Sequence, residues 1–303
     1  LFSIVSIPCI MSIDCEELLC LRKWDWIVEG GGTKAAYSAG VLKAFLEEKI
    51  YIPYTVGISA GCEILTSYVA RQIPRLELTG IQAPCQPGVV GLKPLFKEKS
   101  IYGIESTNAF IESREKLDIQ AFQSSSSKMD FGLYNMRTHA VEYYGKEYLD
   151  ESQTLVKASC ALLLLTHPYM FQGQKYMDAG LVDMISIEQS IRQGNQKHIV
   201  ISTKEVGYVR KPAPNWQLRL AKLVYKDDVI VQDLKKRHER YNQQWGLVDQ
   251  LEKDGKVLVL RPHKDLGITR YTTDPKKLHP WFQLGYDETM ERMDQIKEFC
   301  EVK

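Results

Sequence analysis

Apolar runs alternate with amphipathic segments along most of the chain, a pattern typical of an α/β protein. The clearest case is an apolar strand at Trp26–Val28 followed by an amphipathic helix over about Lys34–Lys49. A second apolar strand follows at about Tyr54–Gly57. Because a helical crossover between strands implies parallel pairing, the carboxyl ends of both strands should lie on one edge of a sheet.

The rest of the pattern predicts a continued alternation of helices and strands, ending in a helix over Lys276–Phe299. The prolines and glycines of the stretch Leu76–Ser100 instead favour a long loop, a candidate lid or acyl-chain wall. A single helix is expected over Ile104–Phe122, a hairpin over Tyr169–Met177 and a strand at Val257–Leu260.

Candidate chemistry stands directly after the first two strands. Gly30, Gly31 and Gly32 follow the first, and their exposed N–H groups would suit an oxyanion hole. Ser59 follows the second within Gly57-Ile58-Ser59-Ala60-Gly61, a G-x-S-x-G turn that leads into a helix. Each motif alone is weak, but together at the ends of successive strands they favour a serine acyl hydrolase.

Two further side chains stand close to these motifs in the predicted order of elements. Asp178 comes after the second strand of the hairpin, where an acid usually forms a turn or caps a helix. In this order it is also the natural partner for Ser59. Lys34 opens the first helix, where a cation opposes the helix dipole. We therefore expect it to support the glycine loop or a nearby anionic group rather than the helix.

Gly30-Gly31-Gly32-Thr33-Lys34, Gly57-Ile58-Ser59-Ala60-Gly61 and Asp178-Ala179-Gly180 together resemble the motifs of the patatin-like phospholipase family. The resemblance covers about 24–203, and the remainder is similar to the C-terminal extension of a bacterial branch. It implies a three-layer α/β fold with a mainly parallel central sheet, helices on both faces and a mostly helical C-terminal extension. It also implies a Ser59–Asp178 dyad, an oxyanion hole at the three glycines and a supporting Lys34.

Two positions depart from the family pattern. Ala35 stands where the family has a glycine after the basic residue, and Ala179 stands where it has the middle glycine of D-G-G. These departures leave open a catalytically silent member of the family.

Changes in composition and in the pattern of apolar residues divide the chain into three parts. Residues 24–205 form the expected acyl hydrolase core, and residues 206–303 form an α/β extension packed on it. Residues 1–23 are an N-terminal tail without a basic signal-peptide region. A start at Met11 would make residues 1–10 non-native.

Composition excludes several classes of function. The 39 basic and 38 acidic residues nearly balance, so a nucleic-acid partner is not expected. The seven cysteines show no metal-binding spacing and favour reduced thiols in a cytoplasm. We expect a cytoplasmic enzyme without cofactor or metal that acts on a lipid or another acyl ester and makes transient contact with a membrane surface.

Three interpretations stay open from the residues. The favoured one is a lipid acyl hydrolase of the phospholipase A or esterase type, which works through a Ser–Asp dyad and an acyl-enzyme. The second is an α/β-hydrolase esterase in which a later histidine completes a Ser–His–Asp triad. In the third, the glycine loop and Lys34 hold a phosphate without catalysis.

Overall fold

The computed structural model describes residues 24–301, so the expectations about residues 1–23 lie outside the described part. Eight strands form one sheet: β1 (Trp24–Val28), β2 (Tyr54–Gly57), β3 (Lys128–Asn135), β4 (Val141–Gly145), β5 (Tyr169–Phe171), β6 (Gln174–Asp178), β7 (Lys197–Ile201) and β8 (Val257–Leu260). Their order is β5-β6-β3-β2-β1-β7-β8, with β4 paired to β3. The run β3-β2-β1-β7-β8 is parallel throughout. The mainly parallel sheet is thus confirmed.

The α-helices are α1 (Ala36–Glu47), α2 (Ala60–Val69), α3 (Ile73–Glu77), α4 (Leu92–Glu98), α5 (Ile104–Arg114), α6 (Ile119–Ser124), α7 (Thr154–Ser159), α8 (Ile187–Arg192), α9 (Asn215–Tyr225), α10 (Asp228–Lys253), α11 (Pro275–Glu291) and α12 (Met293–Cys300). Short 3-10 turns precede α1 and follow β6.

Helices cover both faces of the sheet, which gives the expected three layers. Alternate residues of β1 point to opposite faces, as the period of a strand requires. Trp26 belongs to a core shared with α1, α2 and α11. Ile27 belongs to the opposite core, together with α10 residues such as Tyr241 and Trp245.

One edge of β3 brings together two strands that run toward each other. The register pairs Gly57 of β2 with Phe131 and Asp178 of β6 with Leu133. Because β4 pairs with residues 130–134 along the opposite edge, β2 and β6 share the remaining edge. Their carboxyl ends therefore meet, two positions apart on β3.

Residues after 205 add to both the sheet and its faces. Strand β8 extends the sheet beside β7, and α10 packs on one face. Helix α11 packs against α1, where the indole N–H of Trp281 donates a 2.8 Å hydrogen bond to the carbonyl of Lys34. The C-terminal part thereby contacts the start of the first helix.

Some predicted elements differ from the structure. The stretch Leu76–Ser100 contains helical turns and α4. Pro84 occupies a first-turn position, where proline suits a helix, and Pro74 does the same in α3. The helix expected over Ile104–Phe122 is two helices, and Asp118 caps the second. The final helix also breaks at Arg292, whose guanidinium donates to the Val259 carbonyl.

Candidate active site

Ser59 lies in a strained turn between β2 and α2. Its backbone has φ 57° and ψ −132°, a region that non-glycine residues rarely adopt. It directly precedes α2, so its side chain lies at the positive end of a helix dipole. Gly61 allows the turn because an added Cβ would collide with the Val28 carbonyl of β1. This is the geometry of a nucleophile elbow.

The glycine loop lies directly against this turn. A Cβ added to Gly30 would approach the Cβ of Ser59 to 2.7 Å, so only glycine permits the contact. Within the described part of the chain, the amides of Gly30, Gly31 and Gly32 donate no hydrogen bond to the backbone. Three donors without a partner among the described residues therefore line the same cavity as Ser59.

Glu29 fixes the start of the glycine loop. Its buried carboxylate accepts hydrogen bonds from the Ser202 hydroxyl at 2.6 Å, the Thr203 amide at 3.1 Å and the Tyr241 hydroxyl at 2.9 Å. Tyr241 comes from α10, so the C-terminal part helps to position the loop. Such a fully satisfied buried carboxylate is rigid.

Asp178 ends β6 and lies beside Ser59 in the same cavity. Its carboxylate accepts a 2.7 Å hydrogen bond from the amide of Gly180, whose carbonyl in turn accepts one from Arg237. Burial raises the pKa of Asp178, while the Gly180 amide, the Ser59 hydroxyl and two nearby arginines favour its charged form. A buried carboxylate next to a serine hydroxyl is suited to accept its proton.

The cavity at Ser59 brings most of the expected site residues together. Gly30, Gly31, Gly32, Ser59 and Asp178 all line it. Lys34 lies outside this cavity: its ammonium group is 5.7 Å from the Trp281 ring centroid, and it lines a neighbouring pocket.

The sequence motifs missed most of the charged side chains at this site. Arg210, Arg237 and Arg270 line the Ser59 cavity, and Lys204 lines the pocket next to it. They come from segments far from Ser59 in the sequence. All four follow residue 203, and no spacing in the sequence marked them as parts of one site.

An apolar pocket opens on the other side of Ser59. Its wall is formed by the first turn of α2, by α5 and by α7, with Ile64, Ile104 and Val156 among its apolar residues. Glu63, one helical turn after Ser59, also lines it. Burial raises the pKa of Glu63 to about 7, with Glu112 acting in the same direction and Arg75 opposing it. No sequence motif marks this residue.

Glu63 should make the use of longer acyl chains pH-dependent. If an acyl chain fills this pocket, it requires the neutral carboxyl, which predominates below a pKa of about 7. The KM for nitrophenyl octanoate should then rise roughly tenfold per pH unit above that pKa. Glu63→Gln should abolish this rise, as measured by steady-state kinetics. Nitrophenyl acetate is the control substrate, and an unchanged octanoate profile in Glu63→Gln would contradict the assignment.

The histidines of the chain lie outside the Ser59 cavity, and one of them, His238, lines the pocket next to it, where its Nδ1 is 3.0 Å from the Lys235 carbonyl. All six belong to the described residues, and none lines the Ser59 cavity. Several have other partners: His198 contacts Asp25 at 3.0 Å, His139 contacts Asp227 at 2.8 Å and His167 contacts Ser100 at 3.0 Å.

The departures from the family motifs cause no backbone strain. Ala35 has φ −63° and ψ −8°, an ordinary helical conformation. Ala179 is buried and is absent from the residues with positive φ. Neither position needs the conformational freedom of glycine in this chain.

Comparison with known families agrees with this fold. The profile of the patatin-like phospholipase family matches residues 27–191, more than half of the chain. The chain belongs to the patatin-like phospholipase family, and this membership supports a hydrolase that acts on lipids. Residues 228–301 match a domain of unknown function, DUF6363.

The other comparisons add less. Among solved structures, the chain is similar to VipD from Legionella pneumophila, with 13% identity and a TM-score of 0.43 over 90% of this chain and 67% of that one. No curated protein matches the sequence. Within residues 24–301, no helix is both long and apolar enough to cross a membrane.

Proposed function

We propose that the chain is a lipid acyl hydrolase that cleaves carboxylic esters through Ser59 and Asp178. One observation carries the proposal: the strained serine, a buried carboxylate and three unpaired glycine amides border a single cavity. Nucleophile, base and oxyanion donors are the parts that acyl transfer requires.

The proposed reaction has two steps. Asp178 accepts the proton of the Ser59 hydroxyl while its oxygen attacks the ester carbonyl, and the amides of Gly30–Gly32 stabilise the oxyanion. The ester C–O bond breaks, the leaving alcohol takes the proton from Asp178, and an acyl-enzyme remains. Water then attacks the acyl-enzyme, with Asp178 again as base, and releases the fatty acid and free Ser59.

The other interpretations have less support. A Ser–His–Asp triad would need a histidine at this cavity, where none of the described residues supplies one. A silent family member would need a distorted site, whereas Ala35 and Ala179 fit without strain. A simple phosphate cradle would not explain why a strained serine faces the glycine amides.

Labelling with a fluorophosphonate probe followed by peptide mapping tests the nucleophile. We expect modification of Ser59 in the folded protein and loss of labelling after heat denaturation, because the helix and the glycine loop must both be in place. Competition by nitrophenyl butyrate should slow the labelling. A probe found on another serine, or no labelling of the folded protein, would contradict the proposal.

Exposed apolar side chains support action at a lipid surface. Phe96 on α4 is 84% exposed and Leu223 on α9 is 71% exposed. Helix α9 also presents Trp216, which lines a cavity that reaches Asp178. Exposed apolar side chains of this kind suit partial insertion into lipid headgroups.

The double variant Phe96→Ser, Leu223→Ser should lower activity on phospholipid vesicles by about tenfold or more. Each change removes about 1 kcal/mol of insertion energy, and neither residue lines the cavities at Ser59. Hydrolysis of soluble nitrophenyl butyrate should be unaffected. Ile191→Ser, 43% exposed on α8, is the matched control. Equal losses on vesicles and on the soluble ester would contradict a role in lipid contact.

A further inference from the structure

A strongly basic pocket adjoins the candidate active site. We call it the basic pocket and define it by Lys34, Lys204, Arg210, Arg237 and Arg270. The three arginines also line the Ser59 cavity, so the two spaces are continuous. A molecule held at Ser59 therefore extends directly among these cations.

None of the five side chains forms an ion pair with a described residue. Among residues 24–301, the Lys204 ammonium donates only to the Thr203 hydroxyl, at 2.9 Å, and Arg237 donates to the Gly180 carbonyl. The guanidinium of Arg210 lies 4.4 Å from the Tyr241 ring centroid, but its Nε is buried and has no hydrogen-bond partner among the described residues. A buried cationic donor without a partner costs free energy, so its presence points to a ligand that supplies the missing acceptor.

The cations lie close enough together that each disfavours the charged form of its neighbours. Burial lowers the pKa of Lys204 to about 8, and Lys34, Arg210 and Arg270 lower it further against the opposing charge of Glu29. The pKa of Arg237 is lowered by the same causes, burial and its neighbouring arginines. The nearby carboxylates are Glu29, which already accepts three hydrogen bonds, and Asp178. Five cations thus outnumber two anions, which leaves an excess positive charge.

The two pockets at Ser59 suit different halves of an ester. The apolar pocket beyond α2 suits an acyl chain. In the basic pocket, a hydrocarbon chain would displace water from the cations and leave their charges buried without a partner, which costs free energy. Arg270 lines both pockets and marks the boundary between them. If the acyl chain fills the apolar pocket, the leaving alcohol enters the basic one.

We propose that the substrate is an acyl ester whose leaving group carries a phosphomonoester or several phosphates, bound in the basic pocket. Resting on the proposed function, this inference names the substrate class of the same site. Arginine forks match phosphate oxygens bidentately, and a phosphomonoester carries nearly two charges at neutral pH. A zwitterionic phosphodiester or an uncharged glycerolipid would leave most of the cations unneutralised.

Matched lipids test the proposal. Phosphatidic acid, phosphatidylcholine and diacylglycerol with identical acyl chains should be compared in uncharged detergent micelles. We expect kcat/KM for phosphatidic acid to exceed both others by at least about tenfold, and the advantage should shrink with added salt. Equal kcat/KM values for phosphatidic acid and diacylglycerol, together with no turnover of a soluble phosphate-bearing acyl thioester, would overturn the proposal.

Variants of the pocket supply a second measurement. Arg210→Gln should lower the ratio of kcat/KM for phosphatidic acid to that for nitrophenyl butyrate by about tenfold, chiefly through KM. Lys204→Gln should act in the same direction and serves if the first variant does not fold. Lys253→Gln, an exposed cation at the far end of α10, should leave the ratio unchanged. An unchanged ratio in folded Arg210→Gln or Lys204→Gln would overturn the proposal.

The pH profile gives a readout that a structural role would not produce. Lys204 is charged below a pKa of about 8, so KM for phosphatidic acid should rise as the pH passes above it. Lys204 faces Glu29, Lys34, Arg210 and Arg270, and Lys204→Gln should lose this limb of the profile. A wild-type KM that stays flat through this range, alongside no preference for phosphatidic acid, would count against the pocket.

One more substrate distinguishes two possible sources of the phosphate-bearing acyl compound, a membrane lipid and a soluble molecule. A fatty acyl-coenzyme A is a soluble acyl thioester whose leaving thiol carries several phosphates, whereas phosphatidic acid is an oxygen ester in a membrane lipid. Faster turnover of either one supports the shared chemistry and identifies its source. Binding of inorganic pyrophosphate by calorimetry, weakened in Arg210→Gln, is independent of hydrolysis. It would persist if the proposed function failed and would be absent if only the pocket assignment failed.

Discussion

Ser59→Ala should abolish ester hydrolysis and leave the fold unchanged. Loss of a serine nucleophile lowers kcat by about 10⁶-fold in a comparable acyl hydrolase, and we expect at least about 10⁴ here. The backbone of Ser59 has φ 57°, and alanine, like serine, carries a Cβ. The substitution therefore does not change the backbone strain of the turn. Nitrophenyl butyrate kinetics measure the loss, and thermal unfolding should give an unchanged Tm.

The matched control is Ser67→Ala on α2, a buried serine of the same helix whose hydroxyl has no hydrogen-bond partner in the described part. It removes the same atom away from the cavity and should retain full activity. Turnover of Ser59→Ala above one per cent of wild type, in folded protein free of other esterases, would remove Ser59 from the reaction.

Asp178→Asn should lower kcat/KM by about 10³–10⁴, because an amide cannot accept the serine proton at neutral pH. Asparagine keeps an oxygen that accepts from the Gly180 amide, so the turn after β6 should persist. Since burial raises the pKa of Asp178, the wild-type acid limb should lie above the ordinary range of an aspartate. Activity falls as pH drops through that pKa, and Ser59, Arg237 and Arg270 are the groups that moderate it.

The histidines supply the contrast that separates a dyad from a triad. Each of six single changes to Gln should retain substantial turnover: His139, His167, His198, His238, His263 and His279. His198→Gln affects a buried contact with Asp25, so its stability must be measured together with its activity. A single histidine whose loss silences a folded enzyme would replace the dyad with a triad.

The C-terminal part bears on catalysis because its side chains reach the site. Tyr241 donates to Glu29 beside the glycine loop, and Arg237 donates to the carbonyl of Gly180. Two parts of the candidate site, the oxyanion loop and the turn after Asp178, are thus contacted from α10. The domain of unknown function that spans residues 228–301 supplies both contacts.

Local chemistry explains what could be predicted from the sequence. The glycine loop after β1, the G-x-S-x-G turn after β2 and the alternation of strands with helices depend on residues that are neighbours in the chain. Strands at Tyr54–Gly57 and Val257–Leu260 were predicted with the bounds that the structure shows. The loop predicted at Leu76–Ser100 is wrong, because that prediction treats proline as a residue that ends helices. In the structure proline also begins a helical turn there.

The sequence by itself determined the class of fold, the candidate nucleophile and the order of its partners. Only the tertiary structure decided how they meet, because β2 and β6 are joined through the register of β3 and not through any local pattern. The same holds for the basic pocket, whose cations come from segments that no spacing relates. Burial then decided their chemistry, since the pKa of Glu63 or Lys204 depends on neighbours that only folding brings close.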